Sequence, residues 1–400
     1  MSEFKTNAPK WAASQSGLRQ QNERLVMSLV RRHGALAKSE IARMTGLSAQ
    51  TVSVIMRELE ADKLLMRCEP KRGQVGQPSI PHSLNPDGAY FLGAKIGRRS
   101  LDVLLIDFLG EIRHQESEYY PFPRPDEAVA SIVATVRKFE AALGARASRI
   151  AGLGIAIPFE LWNWVEQSGA PEAAVAAWRV ADVRAMLSLS LPYPVYLQND
   201  ATSACGAELV FGDNAELQDF IYIYIGSFVG GGVVLNGGLY AGRSGNAGAL
   251  GPMPVRAPAG GIEPLLNQAS LVALEQSLLE AGIPTERLYH EDHWSGLGEL
   301  LDQWLQTAAR GLAQAIVSAA SIIDFEAAVI DGSFPARVRA DLIARVATEI
   351  KRIDTTGLKS PELKAGSLGG VARALGGATL PLFDRYLIAQ HLAASRWVQM

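Results

Sequence analysis

Hydrophobic residues recur with two periods along this chain: a helical one near the N-terminus, and mixed strand and helix patterns beyond it. From Leu18 to His33, Leu25, Leu29 and Val30 form an apolar stripe between charged positions, which predicts a helix stopped by Gly34. Lys38 to Thr45 reads as a short second helix with Ser39 as its cap. Gly46-Leu47-Ser48 makes a turn, and Ser48 caps a third helix reaching Asp62. Ala42 is small enough to let two helices cross closely, and Gly46 suits a turn that needs positive φ. Ile41, Leu47, Val52 and Ile55 fill the core beneath that turn. Leu64 to Arg67 and Ile80 to Leu84 read as short strands flanking the basic, Gly-rich loop Lys71 to Pro78.

This order of elements is a winged helix-turn-helix over residues 1–84, with the third helix expected in the DNA major groove. Ala49, Gln50, Thr51 and Ser53 face outward near its start, where they suit base edges, and Arg57 suits a phosphate. Lys38, Ser48 and the wing residues Arg72, Gln74 and Gln77 complete the expected contacts with operator DNA. The alternative is a helical protein-interaction module followed by a flexible linker.

After Asn85-Pro86-Asp87-Gly88 the pattern becomes α/β. Tyr90 to Ile96, Ser100 to Phe108 and Glu111 to Glu118 predict a strand meander, followed by a helix over Asp126 to Leu143 and a buried strand over Ile150 to Ile157. Val195 to Gln198 is a short strand leading through Asn199-Asp200 into a helix over Ala201 to Val210. Phe220 to Ile225 is a strand running toward the glycine cluster Gly230-Gly231-Gly232. A long helix from Gly298 to Ile323 precedes a strand over Ala328 to Ile330. The repetition predicts two related α/β lobes with a cleft between them. The first spans residues 85–198 and is completed by a C-terminal helix over 384–400; the second spans 199–383.

Composition narrows the class. Of 400 residues, 48% are hydrophobic and 20% charged, which is ordinary globular composition. No apolar run approaches the length of a membrane span, and the polar N-terminus lacks the apolar stretch of a signal peptide, so a cytoplasmic location is expected. The two cysteines, Cys68 and Cys205, give neither a disulfide framework nor a zinc motif. Net charge is −3, but residues 1–85 hold 13 Lys/Arg against 7 Asp/Glu, leaving the remainder at −9. A basic head on an acidic body fits a chain that places only its head on phosphates.

The order of features resembles the ROK family (repressors, open reading frames and sugar kinases) across nearly the whole chain. The carriers are Gly226 to Gly232 followed by Asn236-Gly237-Gly238, similar to a phosphate loop and its turn; Gly242 to Pro252, similar to a sugar-site signature; and Asn199-Asp200, similar to the dipeptide holding a sugar and the catalytic base. The resemblance implies an actin-like, ribonuclease-H-like ATPase fold. A winged helix belongs to its repressor branch.

Against the kinase pattern, Lys95 stands where an acidic residue would hold hydrated Mg²⁺, Phe228 replaces a phosphate-loop glycine, and Ala249 and Pro252 replace a Glu and a His. Val255 to Ser270 contains no cysteine or histidine where the kinases carry a zinc motif. The resemblance therefore implies a repressor with no catalytic residue, no metal and no cofactor, Asp200 being a vestigial base position. A small carbohydrate effector or derivative is expected in the inter-lobe cleft, on Pro158, Phe159, Asn199, Asp200, Asn246, Ala249 and Gln268, in a homodimer or homotetramer. Lys95, Arg98 and Arg99 read as solvated turn charges, with an anion site as the alternative. His290 to His293 reads as a solvated loop, and Trp178 as packing. A sugar kinase with a regulatory DNA-binding head, and a regulator controlled by a protein partner, are the competing functions.

Overall fold

A computed structural model describes residues 15–69, 80–158, 172–214, 216–289, 294 and 296–388. The head comprises α1 (Gln15–His33), α2 (Lys38–Thr45), α3 (Ala49–Ala61) and an antiparallel pair, β1 (Leu65–Arg67) and β2 (His82–Leu84). Val26, Val30, Ile41, Val52 and Met56 are fully buried among them. Gly46 ends α2 at φ 71°, and the Ser48 hydroxyl accepts the Thr51 N–H at 3.0 Å to start α3. The cap of α2 differs from the expectation at Ser39. The helix starts after Ala37, whose N–H donates to the Glu40 carboxylate at 2.7 Å, because a glutamate at the third helical position reaches back to the free amide. The return strand begins at His82, leaving Ile80 exposed. The wing tip, with Arg72, Gln74 and Gln77, lies outside the described residues.

The body holds two five-stranded sheets of one topology. In the first, β3 (Tyr90–Ile96), β4 (Ser100–Ile106) and β5 (Ile112–Tyr119) form an antiparallel meander. Then come α4 (Pro125–Leu143), β6 (Ile150–Ile157), α5 (Glu172–Val180), α6 (Val183–Ser190) and β7 (Val195–Asn199); β6 and β7 extend the sheet in parallel, giving the order β5-β4-β3-β6-β7. After α7 (Asp200–Phe211), the second sheet repeats the scheme with β8 (Phe220–Ile225), β9 (Val229–Leu235) and β10 (Gly238–Tyr240). A small hairpin, β11 (Pro254–Arg256) and β12 (Ile262–Pro264), leads into α8 (Leu266–Ala269), α9 (Leu271–Glu280) and α10 (Gly298–Ala320). Next come β13 (Ala327–Gly332), α11 (Ala336–Ile350), β14 (Glu362–Ala365) and α12 (Ala372–Arg385), and the strand order is β10-β9-β8-β13-β14.

One expectation is corrected. Gly230, Gly231 and Gly232 are strand residues of β9, paired with Tyr224, Ile223 and Tyr222, so the loop itself is limited to residues 226–228. The helix α12 packs on the first sheet, and most of the expected helix over 384–400 lies outside the described residues, which end at 388.

The helices α7 and α12 occupy the centre. Each follows one sheet and packs on the other: α12 against β3 and β6, α7 against β9, and both against each other. Glycines make that contact possible, since a Cβ at Gly376 would stand 1.9 Å from the Ser203 carbonyl oxygen, and one at Gly154 1.9 Å from that of Gly377.

Head and body share a core. Val26 and Val30 of α1 cluster with Phe91, Phe108 and Leu382 of the body. Arg31 fastens the joint. Its guanidinium donates to the carbonyls of Phe108 at 2.9 Å and Leu109 at 3.1 Å, and sits 4.8 Å from the centre of the Phe211 ring at the end of α7. Burial lowers its pKa to about 10, so it stays charged at neutral pH.

Candidate functional site

The outer face of α3 carries Ser48, Ala49, Gln50, Ser53 and Arg57, all exposed. Thr51 is half-buried, and its hydroxyl lies 2.8 Å from that of Ser48, so the cap engages its polar group. Lys38 is half-buried at the start of α2. Five of the seven described candidates are thus exposed on one helix and its cap, a geometry suited to a groove.

Between the sheets lies a cavity of about 420 Å³. Lys95, Arg98 and Arg99 enter it from the β3–β4 turn, Arg339 from the first turn of α11 and Arg373 from the first turn of α12. These positions correct the reading of solvated turn charges. Lys95 and Arg98 are buried and Arg99 is half-buried. Lys95 Nζ donates to the Ser100 hydroxyl at 2.6 Å and to Asp102 at 3.0 Å, and Arg98 pairs with Glu275 of α9 at 2.7 Å, joining the two lobes. Burial was imposed from a distance: the Arg98 partner is 177 positions away. Desolvation, with the neighbouring charge of Arg373, pushes the Lys95 ammonium down to about 8. Asp102 also feels burial, but Lys95 and Ser117 hold it below the usual carboxylate range.

Arg373 reaches Asp200 at 3.3 Å and lies 4.9 Å from the centre of the Tyr224 ring. Burial opposes its charge, yet Tyr224, Asp200 and Asp102 raise its pKa overall. Asp331 lies near the end of β13 with no exposure; it pairs with Arg339 and accepts from Tyr222 Oη at 3.0 Å, its neighbour's Gly332 N–H at 2.9 Å and the Gly369 N–H at 3.0 Å. Sequence reasoning gave Arg339, Arg373 and Glu275 no role, because each gains meaning only from its partner on another element. Glu208 was missed too. It is fully buried on α7, accepts from Asn214 at 2.8 Å and the Ser367 N–H at 3.1 Å, and is raised in pKa by burial.

None of the described carbohydrate candidates lines this cavity. Asn199 Oδ1 caps α7, accepting the Thr202 N–H at 3.0 Å, while Asp200 faces Arg373. Gln268 is buried and donates to Arg256 O at 2.9 Å and Glu263 Oε1 at 2.8 Å, leaving its own Oε1 without a donor among the described residues. Asn246 and Pro158 are half-buried, Ala249 is exposed, and Phe159 lies outside the described residues. Of the other kinase-motif positions, Pro252 is exposed, whereas Phe228 packs on the second-lobe core. Trp178 is packing, as expected: its indole donates to Pro123 O at 3.0 Å. The segment 290–293 lies outside the described residues.

Among the described residues no group of three His, Cys, Asp or Glu is placed to hold a metal, and no helix is long and apolar enough to cross a membrane.

The duplicated sheets with crossed central helices define a two-lobed, sugar-kinase-like α/β body under a winged helix. The ROK family model matches residues 91–382, and a winged helix-turn-helix DNA-binding model matches residues 19–65. The chain belongs to the ROK family. It is 26% identical over 372 residues to an uncharacterised protein of Sinorhizobium fredii, y4fQ, with 91% of each chain covered. The xylose repressor of Bacillus subtilis is 23% identical over 61% of this chain and 62% of its own length, and the Escherichia coli regulator NagC is 21% identical over 66% and 65%. In fold, the chain is similar to a ROK family transcriptional regulator homologous to the E. coli MLC protein, with TM-score 0.65, 21% identity, and 91% and 96% of the two chains covered. It is also similar to a ROK family glucokinase from Streptomyces griseus, with TM-score 0.55, 21% identity, and 73% and 99% covered.

Proposed function

We propose that the chain is a cytoplasmic transcriptional repressor that binds operator DNA through α3 and changes its affinity when a small carbohydrate enters the body. The carrying observation is the joint: the DNA-binding head shares a core with a ROK body, and α7 runs from the Asn199–Asp200 corner to Phe211 beneath Arg31. Twelve helical residues span about 18 Å, so a displacement at one end reaches the other through one rigid element. The xylose repressor and NagC, named for regulation, support the class. Asn199, Asp200, Asn246, Ala249, Gln268 and Pro158 remain the proposed carbohydrate contacts, with Phe159 beside them. Residues 1–84, 85–198 with α12, and 199–371 are the proposed units, and a homodimer or homotetramer the proposed assembly on a palindromic operator.

Kinase activity is not part of this reading. A general base must be free to take a proton, and Asp200 is paired with Arg373. Lys95, itself paired with Asp102, offers no ligand to Mg²⁺. Operator selection from random DNA, followed by anisotropy titration, tests the DNA claim. Gln50→Ala with Thr51→Ala is expected to abolish specific binding while the body stays folded; retained specificity refutes the choice of helix. Sugar-dependent ATP turnover that disappears in Asp200→Asn overturns the non-enzymatic reading.

A further inference from the structure

One apolar side chain on the outer face of α3 was not among the expected DNA contacts. The helix carries two rows of the same spacing. Val52, Ile55, Met56 and Leu59 recur at three- and four-residue intervals and are buried in the head. Gln50, Ser53, Val54 and Arg57 recur at the same intervals on the opposite side, and all four are exposed. Val54 is 37% exposed and sits in the middle of the row expected to enter the groove.

Three observations suit that side chain to a partner outside the chain. First, an exposed valine is a poorer helix former than alanine and gains little packing in return, so its apolar surface is left for a ligand. Second, a β-branched side chain has one dominant χ1 in a helix, so its two methyl groups are set before contact and little rotamer freedom is lost. Third, the carboxylates of α3 are drawn away from the row. Glu58 pairs with Arg19 of α1, and Glu60 pairs with Arg67 of β1 at 2.7 Å. The row therefore presents a guanidinium and no carboxylate, which suits a polyanion. One valine among Gln50, Ser53 and Arg57 is too small an apolar area for a protein partner, but it matches a single methyl group.

We propose that Val54 is a specificity-determining residue that packs on the C5-methyl group of one thymine in the operator. The assignment rests on α3 being the helix that enters the major groove, where that methyl group is displayed. It also fixes a spacing. Gln50 and Val54 are four residues apart, about 6 Å along the helix axis, and successive base pairs are about 3.4 Å apart. The thymine then lies about one or two base pairs from the base that Gln50 contacts, for which the two-pronged amide favours adenine.

The test uses the full chain and the tightest-binding duplex selected from random DNA. Each dT is replaced singly by dU, which removes the methyl group and keeps the hydrogen-bonding edge. Anisotropy titrations compare wild type, Val54→Ala and Gln50→Ala, with circular dichroism as the check on folding. Alanine at an exposed helical position favours the helix, so the valine variant stays folded. One dT→dU replacement is expected to weaken wild-type binding about fourfold, the worth of one buried methyl-sized group, and to leave Val54→Ala unaffected. That position is expected about one or two base pairs from the one where Gln50→Ala loses discrimination. No effect of any dU on wild type, a methyl effect that persists in Val54→Ala, or wild-type affinity in Val54→Ala overturns the assignment. Lost discrimination in Gln50→Ala without any dU effect would strike Val54 alone and leave α3 as the reading helix. If random DNA yields no preferred sequence, the operator-binding reading and this assignment fall together.

Discussion

Replacing Phe211 with leucine separates the two ends of the proposed coupling. The substitution keeps apolar bulk at the end of α7 but removes the ring face under the Arg31 guanidinium, 4.8 Å from its centroid. A cation–π contact is worth about 0.5–1 kcal/mol when exposed and about 2 when desolvated; Arg31 is half-buried, so the loss is about 1–2 kcal/mol. Arg31 keeps its two carbonyl partners, so the head stays attached. If the ring contact carries the signal, the coupling free energy falls by the same amount. The ratio of operator dissociation constants with and without sugar then contracts by about 5- to 30-fold. Fluorescence anisotropy with labelled operator measures that ratio, using whichever sugar in a panel shifts the wild-type protein. Sugar affinity and sugar-free operator affinity are expected to change little, because Phe211 touches neither ligand. An unchanged ratio in a folded Phe211→Leu protein refutes α7 as the connecting element.

Gly376→Ala places a methyl 1.9 Å from the Ser203 carbonyl, so denaturant titration is expected to show a loss of about 3 kcal/mol or more, whereas Gly370→Ala, with open space around it, stays within about 0.5 kcal/mol. Lys95, facing Asp102 on β4, Asp200 on α7 and Arg373 on α12, has a folded pKa of about 8, below its ordinary 10.5. The unfolded chain therefore binds more protons between those values, and the penalty for burying the ammonium is relieved as pH rises through that window. Wild-type stability should climb relative to Lys95→Met between pH 8 and 10.5, by at most about 3–4 kcal/mol; parallel pH profiles would show that the lysine is not depressed.

The head was legible because its determinants are local. Ser48 two residues after an αL-prone Gly46 boundary, or Ile41 and Val52 at core spacing, need no distant partner to be understood. Even there, Ser39 lost the cap to a Glu40 side chain that sequence inspection did not weigh. In the body, apolar runs revealed the strands, but glycines misled. Gly232 reads as loop, yet it pairs with Tyr222 in β9, and glycine stands there because a Cβ would come within 2.4 Å of Cys205 Cβ on α7. The helix α12 was hidden by Gly376, Gly377 and an internal Pro381, residues that oppose helix formation locally and are tolerated because the helix is clamped between a sheet and α7. The cleft was the least legible part. Whether Arg98 is solvated or buried depends on Glu275, and nothing near Arg98 in sequence announces that partner.

The duplication explains why Asp200 and Arg373 meet, and what their meeting does. Asp200 is the first residue of α7, where a negative charge is favoured by the helix dipole; Arg373 is the second residue of α12, where a positive charge is disfavoured. Pairing offsets that cost and ties the starts of the two crossed helices together. Because each helix packs on the sheet that the other follows, a change in lobe angle has to move α7 against α12. Close packing of Gly376 on Ser203 leaves no room for that motion to be absorbed nearby. A polyol that hydrogen-bonds Asp200 competes with Arg373 for the same carboxylate, so binding loosens the tie at the point where the helices start. Arg373→Met then mimics part of the ligand effect. Operator affinity without sugar is expected to shift toward the sugar-bound value, by at most about 1.5–3 kcal/mol, the size of a charge-assisted hydrogen bond. Anisotropy measures the shift, and an operator affinity and sugar response both equal to wild type would remove this pair from the mechanism.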